Sequence, residues 1–374
     1  MNADDQYMAR AVELAARGEG YVEPNPMVGC VVVRDGQIVG EGWHQRYGGP
    51  HAEIEALQAA GENATGATVY VTLEPCCHFG KTPPCTDALL EARVRRVVVA
   101  QDDPFPEVSG RGIERLEHAG ITIDRGVLGP EARALNAPYR SLIQRKRPWV
   151  IAKWAMTLDG KIASRTGHSR WISCEASRTI VHELRGRVDG VLVGRTTAQT
   201  DDPLLTARPP GIRRATRIVL DSEAAISCDS RLIQSADEGP VLIAVGPHAT
   251  ADRIHRLRDA GCELFICTAE TPDERLCELL RELGRRRMTN LLVEGGGRLL
   301  GSFFDQELVD EVHVFVSPKI VGGLEAPRPV AGNGLEWIPS ESTILVPHIE
   351  VLDQDVYIRG RLMEDRNELS MQPD

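Results

Sequence analysis

Apolar residues recur at Tyr7, Met8, Ala11, Val12 and Ala15, the three-and-four spacing of a single helix face. Residues 4–17 are therefore expected to form an amphipathic helix, with Asp4 or Asp5 as its cap and Gly18 as its stop. Then the pattern changes: Val28–Val33 and Ile38–Gly42 flank Arg34-Asp35-Gly36, and Asp-Gly between two apolar runs predicts a hairpin. A helix over Glu53–Ala60 ending at Gly61, a strand over Thr68–Leu73, and a helix opened by Pro83-Pro84 and running through Arg93 follow. Strand Val94–Ala100, helix Gly112–Ala119 and strand Ile121–Val127 complete the first half. This order predicts a mixed sheet covered by helices on both faces.

The polar, basic, proline-ended stretch Gln144-Arg145-Lys146-Arg147-Pro148 interrupts the pattern and reads as a linker. At 374 residues the chain exceeds one ordinary core, so two domains are expected, residues 1–145 and 146–374. After the linker the pattern restarts with strand Trp149–Met156, helix Glu175–Arg187, and strands Gly190–Gly194, Arg217–Asp221 and Val241–Val245. Helices Asp252–Ala260 and Pro272–Leu283, strand Asn290–Glu294, helix Gly297–Gln306 and strand Glu311–Pro318 close a second α/β domain. The last residues, Met363–Asp374, read as a polar tail.

Charge narrows the function. A net charge of −11 disfavours general affinity for polynucleotides or anionic membranes, while leaving room for a local basic site for a phosphorylated small molecule. No apolar run approaches the roughly 18 residues of a spanning helix, and the N-terminal residues lack a signal-peptide pattern. Nine cysteines, an odd number without the spacing of a secreted disulfide framework, read as reduced thiols. A soluble cytoplasmic protein is expected.

Some of those thiols carry chemistry. His51-Ala52-Glu53 is followed by Pro75-Cys76 and then Cys85. One imidazole and two thiolates suit a Zn²⁺ ion that keeps a fourth position open for water, whose pKa such a site lowers to roughly 7. Glu53 lies too close to His51 to need to be a ligand and is placed to shuttle protons, the arrangement of the zinc deaminases. Cys77 and His78 are competing ligands by sequence. Because adjacent side chains rarely converge on one ion, His51, Cys76 and Cys85 are the favoured set, leaving His78 and Lys81 for the substrate pocket or its phosphate.

The run Glu74-Pro75-Cys76-Cys77-His78-Phe79-Gly80-Lys81-Thr82-Pro83-Pro84-Cys85 resembles the deaminase half of the bifunctional riboflavin-biosynthesis proteins, as do Pro24-Asn25-Pro26-Met27-Val28-Gly29 and Gly49-Pro50-His51-Ala52-Glu53. Lys153–Lys161, Trp171-Ile172-Ser173, Thr200–Thr206 and Val293-Glu294-Gly295-Gly296 resemble their reductase half, so the likeness spans roughly residues 4 to 360. Position 77 departs from the small polar residue expected there. The resemblance implies a cytidine-deaminase-like α/β/α domain followed by a dihydrofolate-reductase-like α/β domain. It implies zinc-dependent deamination of 2,5-diamino-6-ribosylamino-4(3H)-pyrimidinone 5′-phosphate, then reduction of the ribosyl group to ribityl with NADPH. A homo-oligomer, dimer or tetramer, is implied as well.

In the second half, Leu291–Phe304 reads as a short strand, three glycines and a helix, a turn in which backbone approaches a ligand and a helix N-terminus attracts phosphate. It is not the G-x-G-x-x-G fingerprint. With the resemblance it becomes the pyrophosphate site of NADPH: Gly296, Gly297, Arg298, Leu299, Leu300, Gly301 and Ser302. Ala155, Trp171, Thr197, Asp201 and Ser222 resemble further cofactor contacts; Ser169, Arg185, Leu205, Arg208 and Glu294 resemble substrate contacts. Lys153 or Asp201 is placed to handle the proton of reduction, and Arg195, Arg213, Arg214 and Arg217 are candidates for a 2′-phosphate. Two other readings compete. A nucleic-acid deaminase with an accessory domain would need a basic groove, and a structural zinc protein would need a fourth protein ligand.

Overall fold

The computed structural model describes residues 2–78, 83–106 and 108–362, so the expected tail lies outside the described residues, as does Lys81. The chain divides into two compact units, Met1–Lys146 and Arg147–Asp374.

In the first unit the elements are α1 (Ala3–Ala16), β1 (Gly29–Arg34), β2 (Gln37–Trp43), α2 (Ala52–Ala60), β3 (Thr68–Val71), α3 (Cys85–Glu91), β4 (Arg96–Val99), α4 (Arg111–His118), β5 (Thr122–Arg125), α5 (Gly129–Leu135) and α6 (Ala137–Arg140). The five strands form one sheet in the order β2-β1-β3-β4-β5. The β1–β2 and β1–β3 pairs are antiparallel and the rest parallel. Strands covered on both faces read as continuous apolar runs, and their alternation divides the core. Cys30, Val32, Val69, Val71, Val97 and Val99 pack under α2, α3 and α4, whereas Val31, Val33, Tyr70 and Val98 meet Met8, Ala11 and Leu14 of α1. Gly29 of the Pro-Asn-Pro-Met-Val-Gly motif permits this closeness, since a Cβ there would lie 2.0 Å from Ala11 O.

The cap of α1 differs from expectation. Asn2 is the cap: its side chain accepts from Asp5 N at 2.8 Å while the Asp5 carboxylate accepts from Asn2 N at 3.0 Å, a capping box. Asp4 is engaged elsewhere, accepting from Arg96 and Tyr70. Long-range partners decided between neighbouring acidic residues that local pattern could not separate.

In the second unit the elements are β6 (Trp149–Thr157), α7 (Glu175–Arg185), β7 (Gly190–Gly194), α8 (Arg195–Asp201), β8 (Thr216–Leu220), α9 (Arg231–Gln234), β9 (Val241–Val245), α10 (Ala251–Asp259), β10 (Glu263–Ile266), α11 (Pro272–Arg285), β11 (Asn290–Val293), α12 (Gly297–Asp305), β12 (Glu311–Ser317), β13 (Ile344–Leu352) and β14 (Asp355–Leu362). Nine strands form one sheet, β10-β9-β8-β7-β11-β6-β12-β14-β13, parallel up to β12 and antiparallel in the final pairings. One face buries Val150, Ala152, Leu291 and Val293 against Leu279, Leu283, Leu300 and Phe303 of α11 and α12; the other packs Phe315 and Tyr357 on Val181 of α7.

The β13–β14 hairpin was not legible because Pro347 interrupts its first run. A register shift between Leu345 and His348 absorbs the proline on what is an edge strand, where its missing donor is tolerated. Arg147, read as linker, is a buried anchor. It holds Asp310 through Nη1 at 2.6 Å and Nη2 at 2.8 Å, and Val150 N donates to the same carboxylate at 2.7 Å.

Candidate active sites

Three elements of the first unit converge on one point. His51 is the N-cap of α2, Cys76 follows the end of β3, and Cys85 is the first residue of α3. His51 Nδ1 lies 3.1 Å from Cys85 Sγ and 3.5 Å from Cys76 Sγ, and the three ligand atoms all lie within 4.8 Å of one another. Zn–N and Zn–S bonds in a tetrahedral site place nitrogen and sulfur about 3.6 Å apart, so the trio fits Zn²⁺. Among the described residues no other His, Cys, Asp or Glu joins this group; Cys77 and His78, adjacent in sequence, stand outside it.

Electrostatics match. The hydrogen bond from Cys85 holds the Cys76 thiol down at about 4, that of Cys85 is pushed up, and the hydrogen bond to Cys76 raises His51 to about 8. One sulfur is thus held toward the thiolate, while the other sulfur and the His51 imidazolium each give up a proton when a cation binds. Glu53 is buried, shares a side-chain hydrogen bond with Cys85, and is held above the usual carboxylate range by that burial.

Sequence reasoning missed two neighbours. His44 is buried, its ring edge-on to His51 at 5.6 Å; its Nδ1 donates to Pro50 O at 2.8 Å and its Nε2 lies 3.2 Å from Asn25 Nδ2. With Nδ1 protonated toward a carbonyl, Nε2 of the neutral ring accepts from Asn25, and burial keeps the imidazole below its usual value. Asn25 belongs to a motif already noted, but nothing local paired it with His44.

Asp103 is the second. Burial pushes its carboxyl up to about 6, although Oδ1 accepts from Phe105 N at 2.9 Å and Tyr139 Oη at 3.0 Å. A carboxyl that binds its proton more tightly folded than unfolded, where the value is about 3.9, destabilises the fold progressively as pH rises from about 4 to 6, and by a constant amount above that. Asp103→Asn, which keeps the acceptor oxygen and removes the charge, is expected to stabilise the first unit by about 3 kcal/mol at pH 7.5 and by about 1 kcal/mol at pH 4.5. Thermal unfolding at the two pH values measures this; equal gains at both would refute it.

In the second unit Glu294, just past β11, is bracketed by two cations. Arg185 of α7 donates bidentately, Nε to Oε1 at 2.6 Å and Nη2 to Oε2 at 2.9 Å, and Lys153 Nζ of β6 stands 3.6 Å from Oε2. Burial alone would raise Glu294, but Arg185 and Lys153 outweigh it and hold it at about 2; burial lowers Lys153. Arg185 also reaches Thr206 O at 3.3 Å, beside buried Leu205. Ser169 Oγ lies 3.4 Å from Asp201 Oδ1, and Arg170 donates to Asp201 O. Thr197 Oγ1 accepts from Gly296 N at 3.0 Å. Trp171 is exposed under the guanidinium of Arg178, and Arg208 is exposed. Ala155 is half-buried on β6, and the Ser222 carbonyl accepts from Gly246 N at 2.9 Å.

The glycine-rich turn behaves differently from expectation. A Cβ on Gly297 would lie 2.3 Å from Arg328 O and one on Gly301 2.4 Å from Ala331 O, so these two glycines admit the chain's own backbone. Leu299 and Leu300 point into the core, and what this turn can offer a phosphate is the first-turn N–H groups of α12, which no preceding helical turn satisfies. Three of the four arginines proposed for a 2′-phosphate are engaged within the chain: Arg195 with Glu223, Arg213 with Asp189, and buried Arg217 with Ser235 and the Gly239 carbonyl.

The comparisons identify both halves of the chain. The model of the cytidine and deoxycytidylate deaminase zinc-binding region matches residues 1–101, and that of the RibD C-terminal domain matches residues 148–357. The riboflavin biosynthesis protein RibD of Aquifex aeolicus is 42% identical over 95% of this chain and 97% of its own, and that of Actinobacillus pleuropneumoniae is 40% identical over 95% and 94%. The chain belongs to the RibD family. Among solved structures, Acinetobacter baumannii RibD is similar with a TM-score of 0.84 at 34% identity, covering 96% of this chain and 99% of that one. A Thermotoga maritima diaminohydroxyphosphoribosylaminopyrimidine deaminase/5-amino-6-(5-phosphoribosylamino)uracil reductase is similar with a TM-score of 0.82 at 36% identity and the same coverage. As a RibD protein, the chain is a bifunctional deaminase and reductase of riboflavin biosynthesis, with Zn²⁺ and NADPH as cofactors, acting on a small phosphorylated pyrimidine. Among the described residues no helix is long and apolar enough to cross a membrane.

Proposed function

We propose that residues 1–145 deaminate 2,5-diamino-6-ribosylamino-4(3H)-pyrimidinone 5′-phosphate and that residues 146–374 reduce the product's ribosyl group to give 5-amino-6-(5-phosphoribitylamino)uracil. The observation that carries this reading is the convergence of His51 Nδ1, Cys76 Sγ and Cys85 Sγ with buried Glu53 alongside. These three residues would hold zinc, which when bound would activate water at neutral pH. The Glu53 carboxylate would serve as general acid/base, carrying a proton to the departing amine.

In the reductase, NADPH supplies hydride and the protein binds and orients. Ala155, Trp171, Thr197, Asp201, Ser222 and the turn from Gly296 to Ser302 serve the cofactor; Ser169, Arg185, Leu205, Arg208 and Glu294 serve the substrate. Between Lys153 and Asp201, the ammonium of Lys153 is favoured as proton donor, because burial lowers its pKa toward the working range. We also propose a homo-oligomer, dimer or tetramer, supported by the exposed apolar residues Val346, Ile349 and Val351 of edge strand β13. Work in the cytoplasm is supported by nine free cysteines.

Ammonia release from the diaminopyrimidine substrate, followed in one cuvette by loss of NADPH absorbance, tests the proposal. Both are expected, and a zinc chelator is expected to abolish the first. NADPH loss only with pre-deaminated product would overturn the assignment of the first unit; ammonia without NADPH loss would overturn that of the second.

A further inference from the structure

We propose that Glu74 is a positioning residue for the metal site: its buried carboxylate, accepting four backbone N–H groups, sets the Pro75–Cys76 turn so that the Cys76 thiolate faces His51 and Cys85. The proposal rests on the zinc reading above. Glu74 is 3% exposed, and both oxygens are used twice. Oε1 accepts from Gly112 N at 3.0 Å and Ile113 N at 3.4 Å; Oε2 accepts from Gly110 N at 2.9 Å and Asp103 N at 3.3 Å.

Three of those donors are the N-cap and first turn of α4, where N–H groups lack helical partners and negative charge is favoured. A remote side chain therefore caps α4, and the capping residue lies two positions before a metal ligand. Contact is close: a Cβ on Gly112 would lie 2.0 Å from Pro75 O. Glu74 N also donates to Gln101 O at 3.0 Å, which ties the turn to the end of β4.

The other side of the turn is held by α3. Thr86 N donates to Cys76 O at 3.2 Å and Cys85 N to Cys76 Sγ at 3.3 Å. Cys76 thus lies between two helix N-termini. On the α3 side the connection is backbone and the ligand itself; on the α4 side the hydrogen bonds run through the Glu74 carboxylate. Only a carboxylate suits four donors arranged two to each oxygen, because the NH₂ of a glutamine would oppose two of them. Among the described residues the Glu74 carboxylate hydrogen-bonds backbone N–H groups and none of the ligand atoms, so its influence passes through the geometry of Cys76.

A mere structural prop would weaken the metal-free and zinc-loaded chains alike, whereas a positioning residue changes the affinity for zinc itself. The full chain, stripped of metal, is titrated with zinc chloride against a competing chelator, as wild type, Glu74→Gln and Glu74→Asp. Wild type is expected to bind one zinc per chain. Glu74→Gln is expected to bind 10- to 100-fold more weakly, with a smaller zinc-induced rise in melting temperature, and Glu74→Asp to recover part of the affinity. Zinc affinity of Glu74→Gln within twofold of wild type, whatever its metal-free stability, would overturn the proposal. If Glu74→Gln does not fold, Glu74→Asp decides: weakening of fivefold or more supports the positioning role, and affinity within twofold overturns it. A wild-type chain that binds no stoichiometric zinc would instead sink the metal reading on which the proposal stands.

Discussion

Replacing Glu53 by glutamine is expected to lower deamination by about 10²- to 10⁴-fold, the range general acid–base catalysis contributes, while zinc content stays at wild-type level. Glutamine has nearly the shape of glutamate and can still take part in hydrogen bonding with Cys85, so the cavity and the ligand trio are preserved. What it loses is the ability to carry a proton. Glu53 is suited to that task because it is buried beside the ligand trio, and that burial holds its carboxyl above the usual carboxylate range. NADPH oxidation with pre-deaminated product is expected to be unchanged, since that chemistry sits in the other compact unit. Activity and metal content are both measured on the purified variant. Loss of zinc together with activity would make Glu53 a support of the metal site and remove it from the proton path.

The second large effect is expected at Glu294→Gln. Here the change leaves the Arg185 guanidinium and the Lys153 ammonium buried without their anion. Breaking a buried pair from one side is strongly destabilising, by about 3–5 kcal/mol, because the surviving charges lose their anion where little water can replace it. The wild-type contribution of Glu294 is present above its unfolded value of about 4.3 and fades only as pH falls through about 2, so it is whole throughout the neutral range. Denaturant unfolding of the second unit at pH 7 reads the loss. NADPH oxidation is expected to fall by about 10²-fold or more, since small misplacements of positioned groups have effects of that size, and deamination to persist. An unfolding midpoint equal to that of wild type would mean that water already solvates the two cations or that another anion neutralises them.

Much of this was readable in order along the chain. Short apolar runs bounded by Gly, Pro and Asp placed β1, β3, β4 and β6 to β9 within a few residues, because strands buried on both faces must be apolar throughout. Two strands at the ends of the second sheet were not legible. β10 is exposed at both of its ends, and β13 is mostly exposed and carries Pro347, so neither bears the signature of a buried strand.

By itself the sequence determined the two-part α/β organisation, the acidic character that disfavours polynucleotide binding, and the types and spacing of His51, Glu53, Cys76 and Cys85. Those follow from local rules: periodicity, turn chemistry and metal-ligand chemistry act over a few residues. The sequence favoured Cys76 and Cys85 over Cys77 and His78, and the tertiary structure brings those two together with His51. Only the tertiary structure showed that Arg147 is a core ion pair, that Gly297 and Gly301 receive backbone, and that Glu74, His44 and Asp103 surround the metal site. Each of these depends on contacts between residues far apart in the chain, where burial and hydrogen-bond satisfaction outweigh any preference a short stretch of sequence can express.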